Sequence, residues 1–237
     1  MRALARPLAR PLRSLRPSPR PIRAVVHRTH APPLRHAVPS VPVRPCRRYS
    51  TRHPSSPSDQ PQSFADPTRP DLFYHLLPPP TPLSPTAPAF ALSFLPSPPP
   101  SATSCTIIGW LPAEGAGEQA GLNDFVENPA FRDVLHEAIK EGLQEGVDDV
   151  QRNGAAALQE GWMHIHDARN PPALGRIGDP DDILASVRVE HGKVLASTYQ
   201  PMPSYRLATA DGLTTLTPAL AAKLLAVLRA RARSERA

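Results

Sequence analysis

Apolar and polar positions along this chain follow two successive regimes. Before about residue 88 the apolar residues keep no regular period, apart from the leucines at 4, 8, 12 and 15 and one island at residues 71–77 (DLFYHLL). From there on they alternate between a period of two and the helical period. Phe90, Leu92 and Phe94 alternate with small residues, so 89–95 reads as a strand. Pro98, Pro99 and Pro100 turn the chain, and the apolar, β-branched run 106–111 (TIIGWL) supplies a partner strand. Asn128-Pro129 is a helix start, a capping residue followed by proline at the first helical position. Phe131, Val134, Leu135, Ala138 and Ile139 then form one apolar stripe, with Glu137, Lys140, Glu141 and Gln144 opposite. Gly142 and Gly146 sit near that stripe, either fraying the helix or admitting a close neighbour. Asn153-Gly154 is the expected helix break, with 155–160 adding a further turn or two.

The remainder reads mainly as strand. Residues 162–167 (WMHIHD) form one, followed by a loop at Asn170-Pro171-Pro172 and a turn at 179–182. Residues 183–190, His191-Gly192 and 193–199 make the clearest hairpin in the chain, with Gly192 supplying positive φ. A Pro-x-Pro bend follows, then a short strand over 205–209 and a turn at Asp211-Gly212. Thr217-Pro218 opens a last helix with Leu220, Leu224, Val227 and Leu228 on one face. Arg229, Arg231 and Arg233 lie toward its C-terminal end, where positive charge suits the helix dipole. The expected body is α+β: a mainly antiparallel sheet with two principal helices, preceded by a disordered Pro/Arg-rich N-terminal region.

Composition sharpens the boundaries. The 33 prolines fall ten in residues 1–49, fifteen in 50–104 and eight in 105–237. Proline fixes φ and removes a backbone donor, so the densest stretches resist regular structure. Three parts are expected: 1–49, a Pro/Ser-rich linker over 50–87, and a single domain over 88–237. The island at 71–77 either docks on that domain or serves as a partner-binding motif. Charge divides at the first of these boundaries. Residues 1–49 carry twelve arginines and no lysine or acid, and the first acid is Asp59. The formal +6 of the whole chain becomes −6 beyond residue 49, with 15 basic against 21 acidic side chains. A nucleic-acid partner, which the whole-chain pI of 9.9 suggests, is therefore not expected of the body. Cys46 and Cys105 cannot build a disulfide framework once the N-terminal part is removed. No run of 18 apolar residues marks a transmembrane helix.

The first 49 residues have the character of an import signal: Arg-rich, acid-free and amphipathic. Wound as a helix, Leu4, Leu8, Leu12 and Leu15 fall within an arc of about 80°, opposite Arg2, Arg6, Arg10, Arg13 and Arg16. Pro7 and Pro11 interrupt that helix. A basic arm for nucleic acid, or a tail without function, are the competing readings. Arg47-Arg48-Tyr49-Ser50-Thr51 resembles the two-step maturation site of fungal-type mitochondrial precursors. The resemblance implies a first cut after Arg48 and removal of Tyr49, leaving Ser50 at the new N-terminus. It also implies the mitochondrial import and processing machinery as partners, and the matrix as destination.

Candidate chemistry in the body is sparse. His164 and His166 share a strand face and, with Asp167, could approach one metal ion; two solvent-facing histidines explain the pattern as well. Asp179, Asp181 and Asp182 offer oxygen ligands for a hard cation but also describe a capped turn. The glycines at 115, 117 and 121 approach a dinucleotide fingerprint with one residue too many and no adjoining helix, so a loop is expected and no cofactor. Cys105 lacks a nucleophile motif. Tyr199, Gln200, Pro201, Met202, Pro203, Tyr205 and Arg206 form either a kinked edge strand or a rigid contact surface. The expected role is a non-enzymatic accessory or assembly factor acting on an unidentified mitochondrial protein. The rival is a small enzyme working through His164, His166 and Asp167.

Overall fold

A computed structural model describes residues 62–113, 120–173 and 176–237. Residues 1–49, with the processing site Arg47, Arg48, Tyr49 and Ser50, lie outside the described residues, as does most of the glycine loop. The architecture is α+β with antiparallel sheets. One sheet is a meander in which each strand pairs with the next: β1 (Ser63–Ala65), β2 (Phe73–Leu77), β3 (Ala89–Ser93), β4 (Gly109–Pro112) and β5 (Val126–Glu127). Two helices follow, α1 (Pro129–Glu145) and α2 (Asp149–Leu158). A second sheet has the order β6 (Gly161–His166), β7 (Ile183–Glu190), β8 (Lys193–Pro201). A short ribbon, β9 (Ala208–Thr209) with β10 (Gly212–Leu213), precedes α3 (Pro218–Arg236).

The sheet begins inside the stretch expected to be linker. β1 and β2 occupy the gaps between prolines, because proline density limits how long a strand can run without forbidding a short one. Long-range bonds hold them. The buried His75 ring receives the Ser63 hydroxyl at 2.8 Å on Nδ1 and donates from Nε2 to the Leu95 carbonyl at 3.0 Å. Arg69 donates to the Leu213 carbonyl at 2.8 Å. Leu77 and Leu83 pack against Ala91, Ile107 and Trp110, so the Pro-rich connection covers part of one sheet face.

The helical stripe is buried as its periodicity predicts, and both sheets share one core with α1 and α3. Phe131, Leu135 and Ile139 of α1 meet Leu92 of the first sheet, Ile165 and Val187 of the second, and Leu220, Leu224 and Leu228 of α3. The break between the first two helices differs from the expected one. It falls at Gly146, whose φ of 64° ends α1, and Asp148 caps α2 by accepting from the Val150 amide at 3.1 Å. Asn153 and Gly154 continue the new helix, since a capped start outweighs the roughly 1 kcal/mol penalty of one interior glycine. Gly142 is a place of close approach: a Cβ there would lie 2.8 Å from Leu220 Cδ2. The 183–199 hairpin forms as read, its turn made by His191 at φ 51° and Gly192 at φ 71°.

Candidate binding cleft

The second sheet ends in a buried ionic node. The Arg169 side chain is 2% exposed and faces Asp167 at 0% and Asp182 at 4%. Its Nε donates to Asp182 Oδ1 at 2.7 Å and stands 3.7 Å from Asp167 Oδ2. One terminal nitrogen donates to the Leu207 and Gly212 carbonyls at 3.1 and 3.2 Å, the other to the Asp181 and Arg206 carbonyls at 3.1 and 2.7 Å. Asp167 also accepts from the Tyr205 hydroxyl at 2.8 Å and from the Arg169 and Thr215 amides, both at 2.9 Å. A planar guanidinium with five donors is suited to bind several chain segments at once. Here it ties the end of β6, the turn before β7, the 205–207 segment and the β9–β10 ribbon into one unit.

That unit forms one wall of a cleft of about 780 Å³. The opposite wall is the segment around Leu122 and Phe125 together with the start of α1. Glu127 joins the two walls: one carboxylate oxygen accepts from the Leu207 amide at 2.8 Å, and the other pairs with Arg132. Arg206 and Asp181 form a second, exposed ion pair at 3.6 Å on the rim. Leu122, which lines the cleft, is 48% exposed, far more than a core leucine. The cleft is lined mainly by polar groups, with Leu122, Phe125 and Pro203 as apolar contacts between two charge pairs, on walls that are already cross-braced.

The seven residues of the expected contact surface divide by orientation. Pro203 and Arg206 line the cleft, and Gln200 and Pro201 are exposed. Tyr205 is 1% exposed and braces the wall from within. Tyr199 turns inward, its hydroxyl 2.8 Å from His136 Nδ1, and Met202 is half-buried against the core. Burial raises the Tyr199 phenol and lowers His136 to about 4, so the pair meets as a neutral phenol and a neutral imidazole.

His164 and His166 lie side by side with ring centroids 6.2 Å apart, but Asp167 is turned away into the ionic node. His164 Nδ1 meets the Ser186 hydroxyl at 2.8 Å, and His166 Nε2 accepts from the Gly178 amide at 3.3 Å. Burial, and then the neighbouring His164, lower the pKa of His166. Among the described residues no group of three His, Cys, Asp or Glu side chains is placed to hold a metal ion. Asp182 serves Arg169, and Asp179 accepts from the Asp182 amide through its carbonyl at 2.9 Å. Cys105 is half-buried, and burial pushes its thiol up to about 11, far from a thiolate nucleophile.

Sequence reasoning missed Arg169, Glu127 and Arg132. Arg169 follows a strand and precedes a loop, a place where arginines are ordinarily solvated. Its only local signal is the company of Asp167, two residues before it. Comparison with protein-family models, with curated proteins and with solved structures gives no match.

Proposed function

We propose that the protein is made as a precursor, imported into the mitochondrial matrix, and acts there as an accessory or assembly factor. In this reading the cleft beside the 203–210 segment receives part of a partner protein. The observation that carries it is the bracing of that cleft. Every donor of the buried Arg169 guanidinium is spent on holding one wall in place, and Glu127 fastens the other wall to it. A pre-formed surface loses less conformational entropy on binding, which is how an interface of modest size becomes specific. The chemistry fits a segment that inserts an apolar side chain between the Glu127–Arg132 and Asp181–Arg206 pairs. The acid-free, leucine-phased N-terminal segment supports the address.

The test is proximity crosslinking in mitochondria from cells expressing wild type or a Pro203→Asp/Arg206→Glu variant. One defined partner should be crosslinked from the cleft by wild type and lost in the variant, while Lys140→Glu, on the exposed face of α1, retains it. Equal crosslinking by all three proteins would refute the assignment. The metal-enzyme alternative has one observation in its favour, the adjacency of His164 and His166. Stoichiometric zinc or iron in the purified protein, lost in His164→Ala/His166→Ala, would replace the contact reading.

A further inference from the structure

A second cavity, between the end of α1, α2 and the start of β8, shares no lining residue with the cleft. It holds about 330 Å³, at the lower end of the roughly 300–1,000 Å³ spanned by small-molecule sites. Leu143, Ala155 and Val194 give it apolar walls. Gly146 and Gly192 contribute bare backbone, and their φ values of 64° and 71° disfavour any residue carrying a Cβ.

Gln151 sets the chemistry. It is 9% exposed, yet its amide has no hydrogen-bond partner among the described residues. No enclosed side-chain nitrogen or oxygen there is left unpaired, so the Gln151 amide reaches open space, and the space it lines is this cavity. A primary amide on a cavity wall presents a donor and an acceptor side by side. The charged groups around it are already answered. Asp148 accepts from the Val150 amide at 3.1 Å and the Thr217 hydroxyl at 2.7 Å, Arg152 pairs with Asp149, and Lys193 is exposed to water. Each of these charged groups is hydrogen-bonded, ion-paired or hydrated within the protein, so none needs an ionic head group to satisfy its hydrogen bonding.

We propose that this cavity binds a small uncharged molecule with an apolar body and a single carboxamide- or lactam-type edge, paired in both directions with Gln151. The proposal does not depend on the partner cleft.

Benzamide is the probe, titrated into the full-length, methyl-labelled protein and followed by NMR. The methyl signals of Leu143, Ala155 and Val194 should move along one saturable curve, and toluene, which lacks the amide, should bind more weakly. Gln151→Met keeps side-chain length and helix propensity while deleting the amide, so it should weaken benzamide by about tenfold, the loss of one or two net hydrogen bonds. Lys193→Gln should leave the affinity within about twofold, because a neutral head group gains little from a solvated ammonium. Unmoved methyl signals, meaning a cavity holding water only, would overturn the proposal. So would equal affinity in a folded Gln151→Met variant. Benzoate binding more tightly than benzamide, with the advantage lost in Lys193→Gln, would overturn the uncharged head group.

Discussion

Replacing Arg169 by methionine tests the ionic node directly. The substitution keeps a long apolar stem but strands two buried carboxylates. Asp182 loses its 2.7 Å partner and retains the Asn170 amide at 3.0 Å; Asp167 loses the positive charge at 3.7 Å and keeps its hydrogen bonds. With side-chain exposures of 2%, 0% and 4%, solvent cannot make good the loss. Removing one partner of a buried pair costs about 3–5 kcal/mol. The stability of a domain is about 5–15 kcal/mol, so this is a large share of the whole. For a domain of this size each kcal/mol moves Tm by roughly 2–4 °C, giving a fall of roughly 6–20 °C. Urea unfolding followed by tryptophan fluorescence supplies the free energy, and calorimetry supplies Tm. Arg169→Lys should fall between the two proteins, since one ammonium cannot span four carbonyls and a carboxylate. Arg169→Met/Asp182→Leu should recover part of the loss, because it removes one of the two stranded carboxylates. A loss below about 1 kcal/mol in Arg169→Met, the scale of an exposed ion pair, would refute the node as the brace of the cleft.

Burial, and after it the Arg132 charge, hold His136 near 4, so the unfolded chain takes up a proton near pH 6.5 that the folded protein refuses until about pH 4. Stability should therefore fall as pH drops through that window, by about 1–2 kcal/mol after allowing for partial solvent screening, and urea midpoints of His136→Gln should show a shallower acid limb. An unchanged slope would show that His136 does not govern it. Gly109→Ala would bring a Cβ within 2.4 Å of Phe125 Cζ and 2.5 Å of the Val126 carbonyl oxygen. Backbone cannot yield as a side-chain tip can, so a loss of about 1–3 kcal/mol is expected in denaturant unfolding, with β5 displaced. N-terminal sequencing of the mitochondrial protein should begin at Ser50, or at Tyr49 if the second cleavage fails; full-length protein retaining Met1 in the cytosol would sink the import reading.

Several parts of the fold were legible because their cause is local. The α1 stripe needs only residues three and four apart, and the 183–199 hairpin needs only alternation around His191-Gly192. The Asn128 cap is local too: its side chain accepts from the Ala130 amide at 3.1 Å. Its other half was not legible, since the same side chain donates to the Ser104 and Ile107 carbonyls at 2.9 and 2.7 Å. Thr217 shows the same division. It precedes the proline that starts α3, as read, but its hydroxyl serves Asp148 and leaves its own helix uncapped.

By itself the sequence determined the α+β class, the start of α1, the main hairpin and the sign change in charge after residue 49. Only the tertiary structure drew residues 63–77 into the first sheet, moved the helix break to Gly146, turned Tyr199 and Tyr205 inward, and separated Asp167 from His164 and His166. The physical reason is one of range. Periodicity, caps and turn conformations are decided by neighbours within about one helical turn, which any reader of the chain can see. Whether a proline-flanked strand is held, or an aspartate faces an arginine rather than a histidine, depends on which distant segment arrives to satisfy it.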